Sequence, residues 1–139
     1  MNYVACSQSC SDSIIAVKEC GSSFHVKNKN RGPITKLKVD GCLIQDHRER
    51  CDWILYQDAP SKKAMYVELK GCDVLKGISQ LESTLIHTKA QFSEYKKECY
   101  IVSSRVPKHS TSLARRKMKF NKDTQSILII KNVKCEVTF

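Results

Sequence analysis

Apolar and polar residues alternate along three neighbouring stretches in the first half of the chain. These stretches are 34–44, 50–56 and 64–70, and polar turns separate them at 45–49 and 58–63. Successive side chains of a strand point to opposite faces, so a period of two is typical of β-strands. The pattern therefore predicts an antiparallel three-strand meander.

The period changes after the meander. Apolar residues then recur every three to four positions, and they are Val74, Ile78, Leu81 and Leu85. This spacing predicts a helix over 73–92 with Asp73 as its N-terminal cap. Residues 98–103 follow as a strand, and their continuous apolar centre indicates an interior position in a sheet.

The two ends of the chain have weaker patterns. Residues 1–13 are rich in Ser and Cys and predict no regular element. Residues 14–20 fit a short helix or, because three of them are β-branched, a strand. A short strand is expected at 24–27, and further strands at 124–130 and 133–139.

Length and charge indicate one domain with an anionic partner. The 139 residues fit a single domain, and Lys plus Arg is 24 against 14 for Asp plus Glu, a formal net charge of +10. This balance favours nucleic acid, with acidic lipid as the rival. Without a long apolar run or a secretion signal, we expect a cytoplasmic protein and no membrane partner. A basic C-terminal region spans 105–122, and its candidate phosphate contacts are Arg105, Lys108, Arg115, Arg116, Lys117 and Lys119.

The eight cysteines are scattered and form no C-x-x-C pair. In a chain without a secretion signal, we expect buried reduced thiols that pack as small apolar residues. A zinc site built from Cys6, Cys10, Cys20 and His25 is the alternative, although its spacing matches no common zinc motif.

Charged residues inside the meander are the candidate chemistry. Glu68 and Lys70 share one face of their strand, and Asp52 falls on the same face if the preceding strand lies beside it. A carboxylate inside a strand is costly unless a partner compensates it. The three side chains are therefore expected to converge on a metal and phosphate site. The alternative is an exposed cross-strand charge pair, with Asp52 satisfying a turn or pairing with Arg50.

The order strand, strand with Asp, strand with Glu-x-Lys, helix, strand resembles the core of the PD-(D/E)XK nuclease superfamily. The resemblance covers 34–103, about half of the chain. It implies an α/β fold with a restriction-endonuclease-like mixed sheet flanked by helices, in a single domain over 1–139. It also implies that Asp52, Glu68 and Lys70 are the catalytic residues. Gln80 matches the glutamine of a Q-x-x-x-Y motif, with Thr84 at the tyrosine position.

Phosphodiester hydrolysis needs an activated water and compensation of negative charge on the phosphate. Asp52, Glu68 and the Leu69 carbonyl are expected to ligate Mg²⁺ or Mn²⁺, and Lys70 to act on the water and the phosphate. Glu19 is a further ligand if its segment is the family's first helix, and Asp40 is another if its strand faces the site.

The expected function is that of a Mg²⁺-dependent endonuclease acting on DNA, in defence or in recombination and repair. A chain of this length has little room for a specificity domain, so we expect a homodimer or a partner that selects the target. The alternative is a non-catalytic nucleic-acid-binding module on the same fold.

Overall fold

The computed structural model describes residues 1–105 and 110–139, and this part of the chain forms two β-sheets and two helices. In the six-stranded sheet the spatial order is β1-β4-β5-β6-β7-β8, and in the three-stranded sheet it is β2-β3-β9. The strands are β1 (Ser7–Cys10), β2 (Ile14–Glu19), β3 (Ser22–Lys27), β4 (Ile34–Lys38), β5 (Trp53–Gln57), β6 (Lys63–Lys70), β7 (Lys96–Ser103), β8 (Ile127–Asn132) and β9 (Lys134–Thr138), and the helices are α1 (Val74–His87) and α2 (Thr111–Thr124).

The elements form three layers around two buried apolar clusters. One cluster lies between the helices and the six-stranded sheet, with Tyr66, Ile78 and Phe120 fully buried in it. The other lies between the two sheets and contains Phe24 and Met65. A mixed α/β fold is therefore confirmed. In the described residues, the helices pack on one face of the six-stranded sheet, and the three-stranded sheet covers the other face.

The predicted meander is present as β4, β5 and β6, which pair antiparallel. The helix α1 then leads to β7, which runs parallel to β6. The first strand ends at Lys38 instead of 44. Gly41 has a φ of +80°, and the Ile44 N–H donates to the Val39 carbonyl at 3.0 Å, so the chain turns there.

Both helices begin at a side-chain cap. Asp73 accepts a hydrogen bond from the Lys76 N–H at 3.1 Å, as the sequence predicts for α1. This helix ends at His87 rather than at 92. Ser110 caps α2 by accepting from the Leu113 N–H at 3.1 Å. Most of the basic C-terminal region is thus helical. In the described residues, neither helix has the length and apolar character needed to cross a bilayer.

The N-terminal half of the chain corrects two expectations and decides one that was open. Ser7–Cys10 is a strand on the edge of the large sheet, although it was expected to be irregular. Ile14–Glu19 is a strand and not a helix, and it forms a hairpin with β3. Cys6 and Cys42 form a disulfide, so these two cysteines are not the reduced thiols that we expected. This bond also removes Cys6 from the alternative zinc site.

Candidate active site

Asp52 lies where the large sheet opens beyond the start of β5. The last paired residues of β5 and β6 are Trp53 and Val67, and β6 continues for three more residues. The Asp52 N–H donates to the Val67 carbonyl at 3.2 Å, and its Oδ2 accepts from the Leu69 N–H at 2.8 Å. The carboxylate is thus fixed beside the end of β6, on the side where β5 no longer pairs with it while β7 still does.

Glu68 and Lys70 lie on the helical face of this same end. The Lys70 Nζ lies 3.2 Å from the Glu68 Oε2, and Glu68 is only 2% exposed. Gly77 of α1 packs directly on the pair. A Cβ atom at this glycine would lie 3.5 Å from the Cγ atoms of both side chains and 3.2 Å from the Ile101 Cδ1. The glycine therefore allows the helix to lie close against the site.

Glu19 reaches the site from the other layer, at the end of β2. The turn after it consists of Cys20 and Gly21, both with positive φ. The Ser22 hydroxyl then donates to the Lys70 carbonyl at 3.1 Å, which ties the hairpin to the end of β6. Glu19 thus lies close enough to Asp52 for the Asp52 charge to raise the pKa of Glu19. It comes from a strand and not from the helix that the resemblance implied.

The three carboxyl groups crowd negative charge around Asp52. Burial and then the Asp52 charge raise the pKa of Glu68 to about 8, against the opposing effect of Lys70. Burial and then the Asp52 charge raise the pKa of Glu19 to about 7. Carboxylates that share a site in this way cannot all ionise without cost. A proton or a bound cation relieves that cost.

The cluster fits a hard divalent cation. The Glu68 Oε1 is buried and has no hydrogen-bond partner in the described chain. Residues of an extended strand point their N–H and C=O to the same side, so the Leu69 carbonyl faces the Asp52 side of β6. Among residues 1–105 and 110–139, no three His, Cys, Asp or Glu side chains already surround one ion position. The carboxylates meet in pairs, and Mg²⁺ commonly binds one or two carboxylates together with water.

Helix α1 also positions the residue before Asp52. The Thr84 hydroxyl accepts from the Cys51 N–H at 2.8 Å and donates to the Gln80 carbonyl at 2.8 Å. Thr84 thus fixes the backbone of Cys51, the residue before Asp52, and the sequence did not predict this positioning role. The Gln80 Oε1 is buried without a partner among the described residues.

Asp40 lies beside the cluster. Its carboxylate accepts from the Arg50 Nε at 2.9 Å, and half of its side chain is exposed. Its negative charge is the smallest of the causes that raise the pKa of Glu19. We therefore place Asp40 at the rim, where Arg50 already compensates it.

The basic candidates divide into separate groups. Arg115 and Lys119 are exposed one turn apart on α2, whereas Arg116 pairs with Glu82 of α1. Lys117 is half-buried, and Lys108 lies outside the described residues. Arg105 is exposed. Its N–H donates to the Gly71 carbonyl at 3.1 Å, so its backbone lies next to the end of β6 and therefore near the site.

The site opens to solvent beside Glu19. An open groove of about 340 Å³ follows the hairpin turn there, from Lys18 through Ser23 to Val133. Glu19 lines this groove, whereas Asp52 and Glu68 are buried behind it and do not.

Comparisons of the chain with protein-family models, with curated proteins and with solved structures find no match. The geometry of the site therefore carries the functional argument.

Proposed function

We propose that the chain is a divalent-metal-dependent nuclease that hydrolyses phosphodiester bonds, with DNA as its substrate. The observation that carries this proposal is the proximity of Asp52 to both Glu19 and Glu68, with the Lys70 ammonium beside Glu68 and an open groove beside Glu19. Burial and then the Asp52 charge raise the pKa values of Glu19 and Glu68, so a proton or a cation at these carboxyl groups is favoured. The membership in the PD-(D/E)XK superfamily is part of the same proposal.

Phosphodiester hydrolysis forms a bond between a water oxygen and phosphorus and breaks the bond from phosphorus to the leaving sugar oxygen. The water loses a proton, and the leaving oxygen gains one. A divalent cation held by Asp52 and Glu68, with Glu19 beside them, would compensate phosphate charge and lower the pKa of a bound water. Lys70 lies against Glu68 at the same place, where its ammonium can offset charge on the phosphate and orient the water.

The non-catalytic alternative also has an observation in its favour. Lys70 already forms an ion pair with Glu68, and Asp52 already accepts a backbone hydrogen bond from Leu69. Such contacts occur in purely structural clusters. In that case the chain would bind nucleic acid without cutting it.

A cleavage assay separates the two. Plasmid and single-stranded DNA are incubated with the wild type in Mg²⁺, in Mn²⁺ and in EDTA, and then with Asp52→Asn and Lys70→Ala. The matched controls are Asp12→Asn and Lys29→Ala, because both residues are exposed and neither belongs to the proposed site. We expect metal-dependent cutting that both site variants abolish and both controls retain. Undiminished cutting by the two site variants would refute the proposal, and binding without cutting would support the alternative.

A further inference from the structure

Two lysines share one tryptophan beside the carboxylates. Lys38 of β4 and Trp53 of β5 are direct cross-strand partners, and Lys36 lies two residues along on the same face. The Lys38 Nζ lies 4.9 Å from the Trp53 ring centroid, and the Lys36 Nζ lies 5.3 Å from it. A cation within about 6 Å of an indole face is attracted to it. One ring therefore holds both ammonium groups in place.

Both lysines also reach the free edge of β2. The Lys36 Nζ donates to the Ala16 carbonyl at 3.2 Å, and the Lys38 Nζ lies 3.9 Å from the Glu19 Oε1. Lys38 is thus on the Glu19 side of the carboxylates, whereas Lys70 is on the Glu68 side. Cationic groups flank the carboxylates at both ends.

The positive charge of this pair is largely uncompensated. Among the ion pairs of the described residues, Lys36 takes part in none and Lys38 in one, at the long distance of 3.9 Å. The indole orients the ammonium groups but carries no net charge that could neutralise them. Two like charges held close to one ring favour an anion that contacts both.

We propose that Lys36, Lys38 and Trp53 form a subsite for a phosphate of the substrate strand, next to the phosphate that is cleaved. The inference rests on the proposed nuclease function. Lys36 and Lys38 contact the phosphate, and Trp53 is a positioning residue that holds their ammonium groups. The substrate is then a nucleic-acid strand that continues past the cleaved bond along β4, rather than an isolated dinucleotide.

The test measures how binding depends on salt. The affinity for a fluorescent single-stranded DNA oligonucleotide is measured in EDTA over a range of NaCl concentrations, for the wild type, Lys36→Gln and Lys38→Gln. The logarithm of the binding constant falls linearly with the logarithm of the salt concentration, and each lost phosphate contact on a single strand makes this negative slope shallower by about 0.7. A decrease in the slope means a decrease in its magnitude. We expect this decrease in each variant and none in Lys29→Gln, which removes an exposed lysine outside the subsite. Unchanged slopes in both subsite variants would overturn the inference.

A second background separates phosphate binding from neutralisation of Glu19. In Glu19→Gln, the Lys38→Gln change should still lower the slope by about 0.7, because the contact is to the phosphate. No decrease in that background would show that Lys38 serves only Glu19, which also overturns the inference.

The binding assay does not depend on cleavage. A chain that shows the slope changes but never cuts DNA would refute the nuclease and leave the phosphate subsite standing. A chain that cuts DNA with unchanged slopes would overturn the subsite alone.

Discussion

Replacing Glu68 by glutamine tests whether the buried carboxyl group is held against its own ionisation. Burial and the Asp52 charge raise the pKa of Glu68 from 4.5 to about 8. One pKa unit corresponds to about 1.4 kcal/mol, so ionising Glu68 in the folded chain costs up to roughly 5 kcal/mol. The pKa of Glu68 is higher in the folded chain than in the unfolded chain, so the neutral carboxyl group contributes to folding stability. This contribution is fully present below pH 4.5 and is lost as the pH rises through about 8.

We therefore expect the metal-free wild type to lose several kcal/mol of unfolding free energy between about pH 5 and about pH 9. The Glu68→Gln variant should lose less, because only the contribution of Glu19 remains, and it should be the more stable of the two at the alkaline end. The assay is urea unfolding in EDTA at a series of pH values, with the disulfide intact. Glu94→Gln is the matched control, since Glu94 is exposed and its pKa is lowered by Lys62.

Added Mg²⁺ should flatten the wild-type curve, because a bound cation replaces the proton on the carboxylates. The same addition should change the Glu68→Gln curve far less. The reasoning is refuted if wild type and Glu68→Gln lose stability in parallel over the whole pH range.

Three further outcomes follow from the packing and charge of the site. Gly77→Ala adds a methyl group against Glu68 and Lys70, so it should lower cleavage and metal affinity, while the higher helix propensity of alanine offsets the loss of stability from overpacking. Gly32→Ala, with open space around it, should leave cleavage unchanged. Cleavage kinetics and urea unfolding are measured for both variants. Thr84→Val leaves the Cys51 N–H without its acceptor and should lower the unfolding free energy by about 1–3 kcal/mol. The control Thr138→Val, at an exposed position, should change it little, and equal losses in the two variants would contradict the prediction. Mn²⁺ binding should tighten as the pH rises through about 7 to 8 and release protons, which calorimetry in two buffers detects; affinity independent of pH would contradict it.

Local patterns predicted the central part of the fold. The alternation over β4 to β6 and the change of period at Asp73 placed the meander and α1, because each pattern repeats within one element. Strand β1 was missed, because Ser7–Cys10 is mostly polar and forms a sheet edge. The pairing of β3 with β9 joins residues more than a hundred positions apart, and it has no local signal.

In the candidate site too, local patterns predicted the residues within one element, and contacts between distant elements were missed. Strand periodicity placed Asp52, Glu68 and Lys70 on one face, and the structure brings them together. Glu19 was a candidate on the condition that its segment is a helix, whereas it lies at the end of a strand in a hairpin whose position depends on packing between layers. Lys38 was missed because its proximity to Glu19 is a contact between two sheets. Asp40-Gly41, a common turn pair, could have shown that β4 ends early.

Anomalous diffraction from crystals soaked in Mn²⁺ tests the central claim most directly. The account predicts a Mn²⁺ peak with carboxylate oxygens of Asp52 and Glu68 as ligands at about 2.0–2.2 Å. The Lys70 ammonium should lie beside that ion. A Mn²⁺ peak at another place, or no peak near these carboxylates in crystals that bind Mn²⁺ elsewhere, would contradict the account.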